Sequence, residues 1–478
     1  MTLSQRFAPL LSKLQADGRF QLAALAAVTL LAACLRFYKL GQWSFWGDEY
    51  ITVRRALDIS GGGISRFTPS LLATHVTFSL AGVSEWTARL AAALAGIISV
   101  PVLYALLKRQ FDAHLALIAS LLLAVSPWHL YWSQNARFYT ILLLFYTLAI
   151  FFFYWALEED RPLYMLLSLL FFGLAAFERL IAAFFLPTAL AYLFMIWIGW
   201  FPAPRGLRWR NLAIYLLPGG VFVLLVMAVT PTFNSPQNIV TDFGFVNNNP
   251  IWILSGTAFY LGVPLLIMAL TGAVALLWRR DRFGLLLTLG FMVPLVSIVA
   301  ISPVTYSANR YIFPALTSVI ILAAMAIYDL WRQAQGSGKL LVSGVLLIML
   351  AMPMADNVLY FLYQNGNRDN WKVALAFVAQ EMAEGDLVAT VDTHLADYYL
   401  QRQSLGMQHL EQAGLAMVKQ HQGSTWFLLD LTAPDKTPQT TKWVRENARF
   451  VRDFDVVVSA RRFPMEIYRY TGPVPQTD

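Results

Sequence analysis

Charge is what this 478-residue chain has least of. Asp, Glu, Lys and Arg make up 13% of it, against about 25% in an ordinary soluble domain, while 58% is hydrophobic. That balance excludes a water-soluble globular class and leaves an integral membrane protein. Cysteine is nearly absent, and a lone Cys34 can form neither an internal disulfide nor a multi-cysteine metal centre. The sequence also lacks an internal repeat, a glycine-rich phosphate loop and any low-complexity tract, which excludes solenoids and P-loop chemistry. The net charge of +7 is carried in short clusters between apolar runs instead of along one face. It therefore reads as a topology signal, and nucleic acid is not an expected partner.

The apolar residues form about eleven runs of roughly 20 residues, the length of a helix crossing a bilayer. They are centred near residues 28, 98, 120, 147, 170, 190, 220, 265, 292, 320 and 350. With the N-terminus (Arg6, Lys13, Arg19) cytoplasmic, alternate connections on that side carry Lys108-Arg109, Arg161, Arg205/Arg208/Arg210, Arg279-Arg280/Arg282 and Arg332/Lys339. Every clear basic cluster then falls inside, and an odd number of spans puts the C-terminal segment outside. Leu31-Ala-Ala-Cys34 has the small-residue form of a lipoprotein cleavage site, but Ala- and Leu-rich spans produce such strings often, so an uncleaved first span is expected.

On the outer side lie a long first loop (39–87), the Trp128 to Arg137 connection, the Glu178-Arg179 turn, the 231–250 loop and Ser302 to Arg310. The first loop contains an apolar stretch, Pro69 to Gly82, too short to span and expected to lie along the interface as helix. Near residue 363 the pattern changes. Gln364-Asn-Gly-Asn-Arg-Asp-Asn370 interrupts the apolar runs, and strand-like and helix-like blocks follow. The expected organisation is a membrane domain over 1–362 and a small α/β domain over 363–478. In the latter a helix is capped by Asp369 or Asn370 and faces inward through Val373, Phe377, Val378 and Met382. Strands are expected at 386–391, 425–429, 456–459 and 465–470, and helices at 394–401 and 442–450.

The outer face gathers the chemistry. Trp43-Ser-Phe-Trp-Gly-Asp-Glu-Tyr-Ile-Thr52 sets two adjacent carboxylates, Asp48 and Glu49, among aromatic residues. Acids near hydrocarbon are costly and need chemical work or a strong partner. The plain alternative is pairing with Arg54 or Arg55. Arg137 and Arg310 stand at outer ends of spans, where a guanidinium either binds phosphate oxygens bidentately or only snorkels to headgroups. Arg89 follows Glu85 by four residues, the spacing of a pair on one helical turn. His75, alone in an apolar stretch, reads as a hydrogen-bonded packing residue. Trp43, Trp46, Trp128 and Trp132 suit an interfacial belt or stacking on a sugar ring.

Trp46-Gly-Asp-Glu-Tyr-Ile-Thr52, Ser84-Glu-Trp-Thr-Ala-Arg-Leu90, Ser133-Gln-Asn-Ala-Arg-Phe-Tyr139 and Asn309-Arg-Tyr-Ile-Phe-Pro314 stand in order on the expected outer face. Together they resemble the bacterial glycosyltransferases of families 39 and 83, the GT-C fold, relatives of protein O-mannosyltransferases and of the aminoarabinose transferase of lipid A. Asp369-Asn-Trp371 and Gly385-Asp-Leu-Val388 are similar to the tails of bacterial members. The resemblance implies a polytopic helical GT-C protein that moves a sugar from a polyprenyl-phosphate carrier to a glycan, lipid or protein acceptor at the outer face of the inner membrane, usually with inversion. It implies Asp48 as the base, with Glu49 orienting the acceptor or binding a divalent cation. Arg137, Arg310 and Arg89 would hold the lipid phosphate, and Trp46, Tyr139, Glu178 and Tyr311 would contact acceptor or sugar. One departure is Asn135, where many relatives carry an acid; Glu178 is the substitute, or a structural pair. No metal-ligand spacing stands out. The alternative is a transporter or flippase of lipid-linked sugars, or a surface-polysaccharide polymerase or ligase.

Overall fold

The computed structural model describes residues 18–229, 249–304, 306–458 and 461–472. Arg6, Lys13 and the 231–248 stretch with Asp242 lie outside them. The chain divides into two compact units, one from the chain up to Tyr38, Phe67–Ala73 and Ala91–Ala355, the other from Lys39–Arg66, Thr74–Leu90 and Asp356 onward.

The first unit is helical. Each of the eleven expected span centres falls within a helix. Among the described residues seven helices are long and apolar enough to cross a membrane, or nine if each of two bent pairs counts as one span. Both bends follow from local chemistry. Ala113–Val125 ends where Pro127, which has no N–H to continue the ladder, opens Pro127–Ser133 at 59°, with Ser126 capping the new helix through His129 N. Pro250–Leu261 and Val263–Trp278 meet at 98° around Gly262, whose φ of +80° suits glycine alone.

Leu316–Gln333 runs through the middle of this unit, buried on all sides from Leu316 to Ile327. Val263–Trp278 approaches it so closely that a Cβ on Gly272 would meet the Leu322 carbonyl, the small-residue contact by which helices pack where water provides no drive. At one end, Glu158, Glu159 and Asp160 bind arginines from four separate connections. Arg282 reaches Glu158 at 2.5 Å, Arg109 reaches Glu159 at 2.5 Å with Arg161 at 3.5 Å, and Arg208 and Arg210 reach Asp160 at 3.0 and 3.2 Å. Four of the basic clusters that the alternation assigned to one side therefore gather at one end.

The second unit contains a five-stranded sheet in the order β2-β1-β3-β7-β4 (Leu405–Gly406, Leu387–Thr390, Thr425–Asp430, Met465–Tyr470, Arg449–Asp453). β2, β1 and β3 are parallel, and β7 pairs antiparallel with both β3 and β4. Val456–Val458 (β5) and Arg461–Phe463 (β6) form a separate hairpin. Helices over Thr393–Leu400 and Pro438–Asn447 stand near the expected ones. The latter ends before Phe450, which lies in β4. Trp371–Glu381 buries Val378 as expected and leaves Phe377 half-buried, but Val373 is exposed and Trp371, Ala374 and Leu375 fill the inward face instead. The indole of Trp371 sets the helix phase.

Candidate active site

In the second unit Trp46 precedes the helix Gly47–Leu57, and the amides of Glu49 and Tyr50 close its first turn on the Trp46 carbonyl. Both acids sit in the first turn of the helix, where the macrodipole favours negative charge. Successive helical residues diverge by about 100°, so the two point different ways. Glu49 turns fully inward, along with Thr52, Val53 and Ala56 at the i+3, i+4 and i+7 positions, while Asp48 is half-buried. That spacing was available in the sequence as a sign that Glu49 faces the interior.

Two arginines converge on Glu49. Arg89 Nε and Nη2 donate to its two oxygens at 2.8 and 2.9 Å, and Arg368 Nε reaches Oε2 at 3.2 Å. Arg89 is itself fully buried. Its other donors go to the carbonyls of Leu40 (2.9 Å), Trp43 (3.1 Å) and Ser44 (2.9 Å), and Phe45 lies beneath the guanidinium. All five N–H groups are thereby used.

This corrects three expectations. Glu85 does not pair with Arg89; it takes Lys372 at 3.0 Å and Tyr399 Oη at 3.1 Å. Arg89 has no donor to offer a lipid phosphate. Glu49 is a poor cation ligand or acceptor contact, because two guanidiniums already occupy its carboxylate and would repel a metal. Arg54, one of the basic residues considered for the acid pair, meets His394 Nε2 at 3.2 Å. His75 is a packing residue, its Nδ1 at 2.8 Å from the Ala56 carbonyl.

Residues of the tail surround the same loop. Tyr399 Oη accepts from Phe45 N at 2.7 Å, and burial together with Glu85 raises its pKa, so it remains a phenol. Ser44 Oγ donates to the Asp369 carbonyl at 2.5 Å. The Asp369 carboxyl is pushed up to about 7 by burial and by Asp430. Tyr50 stacks on His394 and leans on Tyr398. Arg368, His394 and Tyr399 were not readable as site residues, since each meets a partner more than 300 positions away.

In the first unit Arg137 and Arg179 both lie over the Phe138 ring, 5.3 and 5.2 Å from its centroid, and Arg137 is half-buried. Arg310 is half-buried beside Tyr311. Its neighbour Asn309 anchors that stretch by donating to the Ile253 carbonyl at 2.7 Å, and Gly256 leaves room for the amide. Tyr139 is buried against Trp132, Phe138 and Phe313 and offers no surface to a sugar, a correction. Glu178 is likewise buried and accepts from Ser70 N and Oγ, both at 2.6 Å, so it caps the helix Pro69–Ala81 and does not replace the acid absent at Asn135. Asn135 is itself buried. Tyr311 is half-buried, edge-on to Tyr306. Trp128 and Trp132 are core residues and not belt residues, Trp128 stacking on Tyr260.

Sequence reasoning missed Arg36 here. It lies at a span end, where snorkelling is the ordinary reading, yet it is fully buried and donates to the Ala124 carbonyl at the helix break at 2.9 Å and to His129 Nδ1 at 2.6 Å. Gln134 Nε2 adds bonds to the carbonyls of Leu35, Arg36 and Tyr38. Together they hold the Trp128 to Arg137 connection. Among the described residues no group of three or more His, Cys, Asp or Glu converges as a metal site would require.

Residues 71–232 match the family model described as dolichyl-phosphate-mannose-protein mannosyltransferase. The fold is similar to that of ArnT from Cupriavidus metallidurans in two crystal structures. The one bound to undecaprenyl phosphate gives a TM-score of 0.59 at 16% identity, covering 94% of this chain and 98% of ArnT. The apo state gives 0.54 at 15%, covering 93% and 97%. Against curated protein sequences there is no significant match. The chain is thus a multi-pass membrane protein with the GT-C fold and a small strand-containing C-terminal region, as its four motifs implied.

Proposed function

We propose that this chain, a protein of the GT-C glycosyltransferase fold, moves a sugar from a polyprenyl-phosphate carrier to an acceptor hydroxyl at the outer face of the inner membrane, with inversion. The observation that carries the reading is the divergence of the acid pair. Glu49 is locked inward by Arg89 and Arg368, and its neighbour Asp48 is left half-buried on the first turn of a rigidly held helix. A carboxylate so placed is partly desolvated and oriented, which suits a general base. The ArnT structure with undecaprenyl phosphate and the mannosyltransferase match of residues 71–232 support a lipid-linked donor.

In this mechanism Asp48 takes the acceptor proton as the hydroxyl oxygen attacks the anomeric carbon, and the sugar–phosphate bond breaks on the opposite face. Arg137 and Arg310 hold the departing lipid phosphate, their fixed charge stabilising the negative charge that accumulates there. Trp46, at the helix start, and Tyr311 contact the sugar or acceptor. The N-terminus is cytoplasmic by the distribution of basic residues between the apolar runs, and residues 363–478 lie outside.

The test is transfer from radiolabelled polyprenyl-phosphate sugars in membranes bearing the protein. Labelled product from the wild type, with Arg137→Gln and Arg310→Gln raising the KM for donor about tenfold or more, supports the reading. Movement of labelled lipid across the bilayer without product would replace it with a flippase.

A further inference from the structure

The break in the apolar pattern at Gln364–Asn370 does more than separate two regions. Asn365, Gly366 and Asn367 adopt φ of +47°, +62° and +56° in succession. A left-handed run of this kind is tolerated mainly by Gly and Asn, and it persists only where surrounding contacts enforce it. Gly366 packs its Cα on the buried indole of Trp43: a Cβ there would come within 2.7 to 2.8 Å of three ring atoms. The turn then folds back on the next side chain. Gly366 O accepts from Arg368 Nη1 at 2.7 Å, and Asn365 Nδ2 donates to Arg368 O at 3.1 Å. Arg368, 2% exposed, is thereby aimed at Glu49.

We infer that Arg368 is a positioning residue: the Asn365–Asn367 turn holds its guanidinium on the Glu49 carboxylate, so that the tail fixes the helix Gly47–Leu57 and the direction of Asp48. The inference rests on the proposed transferase reading for its catalytic consequence. Its logic is geometric. Asp48 and Glu49 share one helical turn, so any rotation that releases Glu49 swings Asp48 as well. Arg89 grips Glu49 through Nε and Nη2, and Arg368 adds a second hold from a separate part of the chain. Three further ties bind tail to loop within the same unit: Ser44 to Asp369, Phe45 to Tyr399, and Glu85 to Lys372. The tail on this account positions the helix that carries Asp48, through an arginine from outside the 39–87 loop, and is not a separate appendage.

The experiment compares the full-length wild type with Arg368→Met, Arg368→Lys and Gly366→Ala in lipid nanodiscs. Amide exchange over residues 47–52 and the kinetics of sugar transfer are both measured. Arg368→Met and Gly366→Ala should speed exchange over 47–52 about tenfold or more and lower kcat about 100-fold, the scale of a misplacement near 1 Å, with the donor KM within about twofold of wild type. Arg368→Lys, which keeps the charge and loses the fork, should fall between and so separates positioning from failure to fold. Unchanged exchange overturns the inference, as does faster exchange with unchanged kcat, or a rise in donor KM alone. A wild type that transfers no sugar overturns the transferase reading instead, and the exchange data alone then decide whether Arg368 clamps the helix.

Discussion

Replacing Arg89 by Met removes more than one ion pair. The guanidinium holds both oxygens of Glu49 and three backbone carbonyls, those of Leu40, Trp43 and Ser44, in a fully buried site. Breaking a buried pair by deleting one partner costs about 3–5 kcal/mol, because the remaining charge stays desolvated. Arg368 still faces Glu49 and offsets part of that. The three carbonyls are left as buried acceptors, each costing about 1–3 kcal/mol less whatever relaxation recovers. The net loss should therefore be about 5 kcal/mol. For a unit of this size about 1 kcal/mol corresponds to roughly 2–4 °C in Tm, so Arg89→Met should melt about 10 °C or more below wild type. Arg89→Lys, a single ammonium unable to span carboxylate and carbonyls together, should lose about half as much. Differential scanning fluorimetry in one detergent at a fixed scan rate provides the comparison. A Tm for Arg89→Met within about 2 °C of wild type would refute the reasoning, since no buried, five-bonded arginine can be removed so cheaply.

Three further outcomes are expected. Glu178→Ala should destabilise by about 1–2 kcal/mol, the worth of a helix cap, because the Ser70 amide and hydroxyl lose their acceptor; a Tm equal to wild type would count against the cap. Asp369 makes stability fall as pH rises. Its folded carboxyl, near 7, keeps a proton that the unfolded chain releases near 4, so the penalty grows between those values and reaches at most about 4 kcal/mol above them. Asp369→Asn should flatten Tm between pH 5 and 8 and raise it at pH 8, and parallel curves for variant and wild type would exclude this. Gly256→Ala sets a methyl within 2.7 to 2.8 Å of the Asn309 amide and should shift Arg310 beside it, raising the donor KM several-fold and lowering kcat with it; kinetics equal to wild type would contradict that path.

Much of this was legible because membrane chemistry simplifies a sequence. Scarce charge made every polar stretch conspicuous, and each apolar run fell on a helix. Trp43 to Thr52 stood out for the same reason. What could not be read was pairing. The spacing of Thr52, Val53 and Ala56 turns Glu49 inward but names no partner for it, and Glu85 lay at the right spacing for Arg89 yet lost it to Glu49, forty positions before that arginine. Local pairing yields whenever a distant partner offers burial and two oxygens. Arg368 was hidden more thoroughly, since its neighbours Asn365, Gly366 and Asn367 looked like an ordinary loop and no periodicity marked its direction. Tyr139, Trp128 and Trp132 misled in the opposite sense: aromatic residues beside a motif suggested ligand contact, and they are core packing. In a chain with 14% aromatic residues, most rings pack on other rings.

The most direct measurement is the rate of sugar transfer from a polyprenyl-phosphate donor by Asp48→Asn, at matched expression and with Tm recorded alongside. Asparagine keeps the shape of the side chain and cannot take a proton. The account predicts a fall in kcat of about 100-fold or more with Tm and donor KM near wild type, the signature of a lost general base. Transfer at the wild-type rate would contradict it.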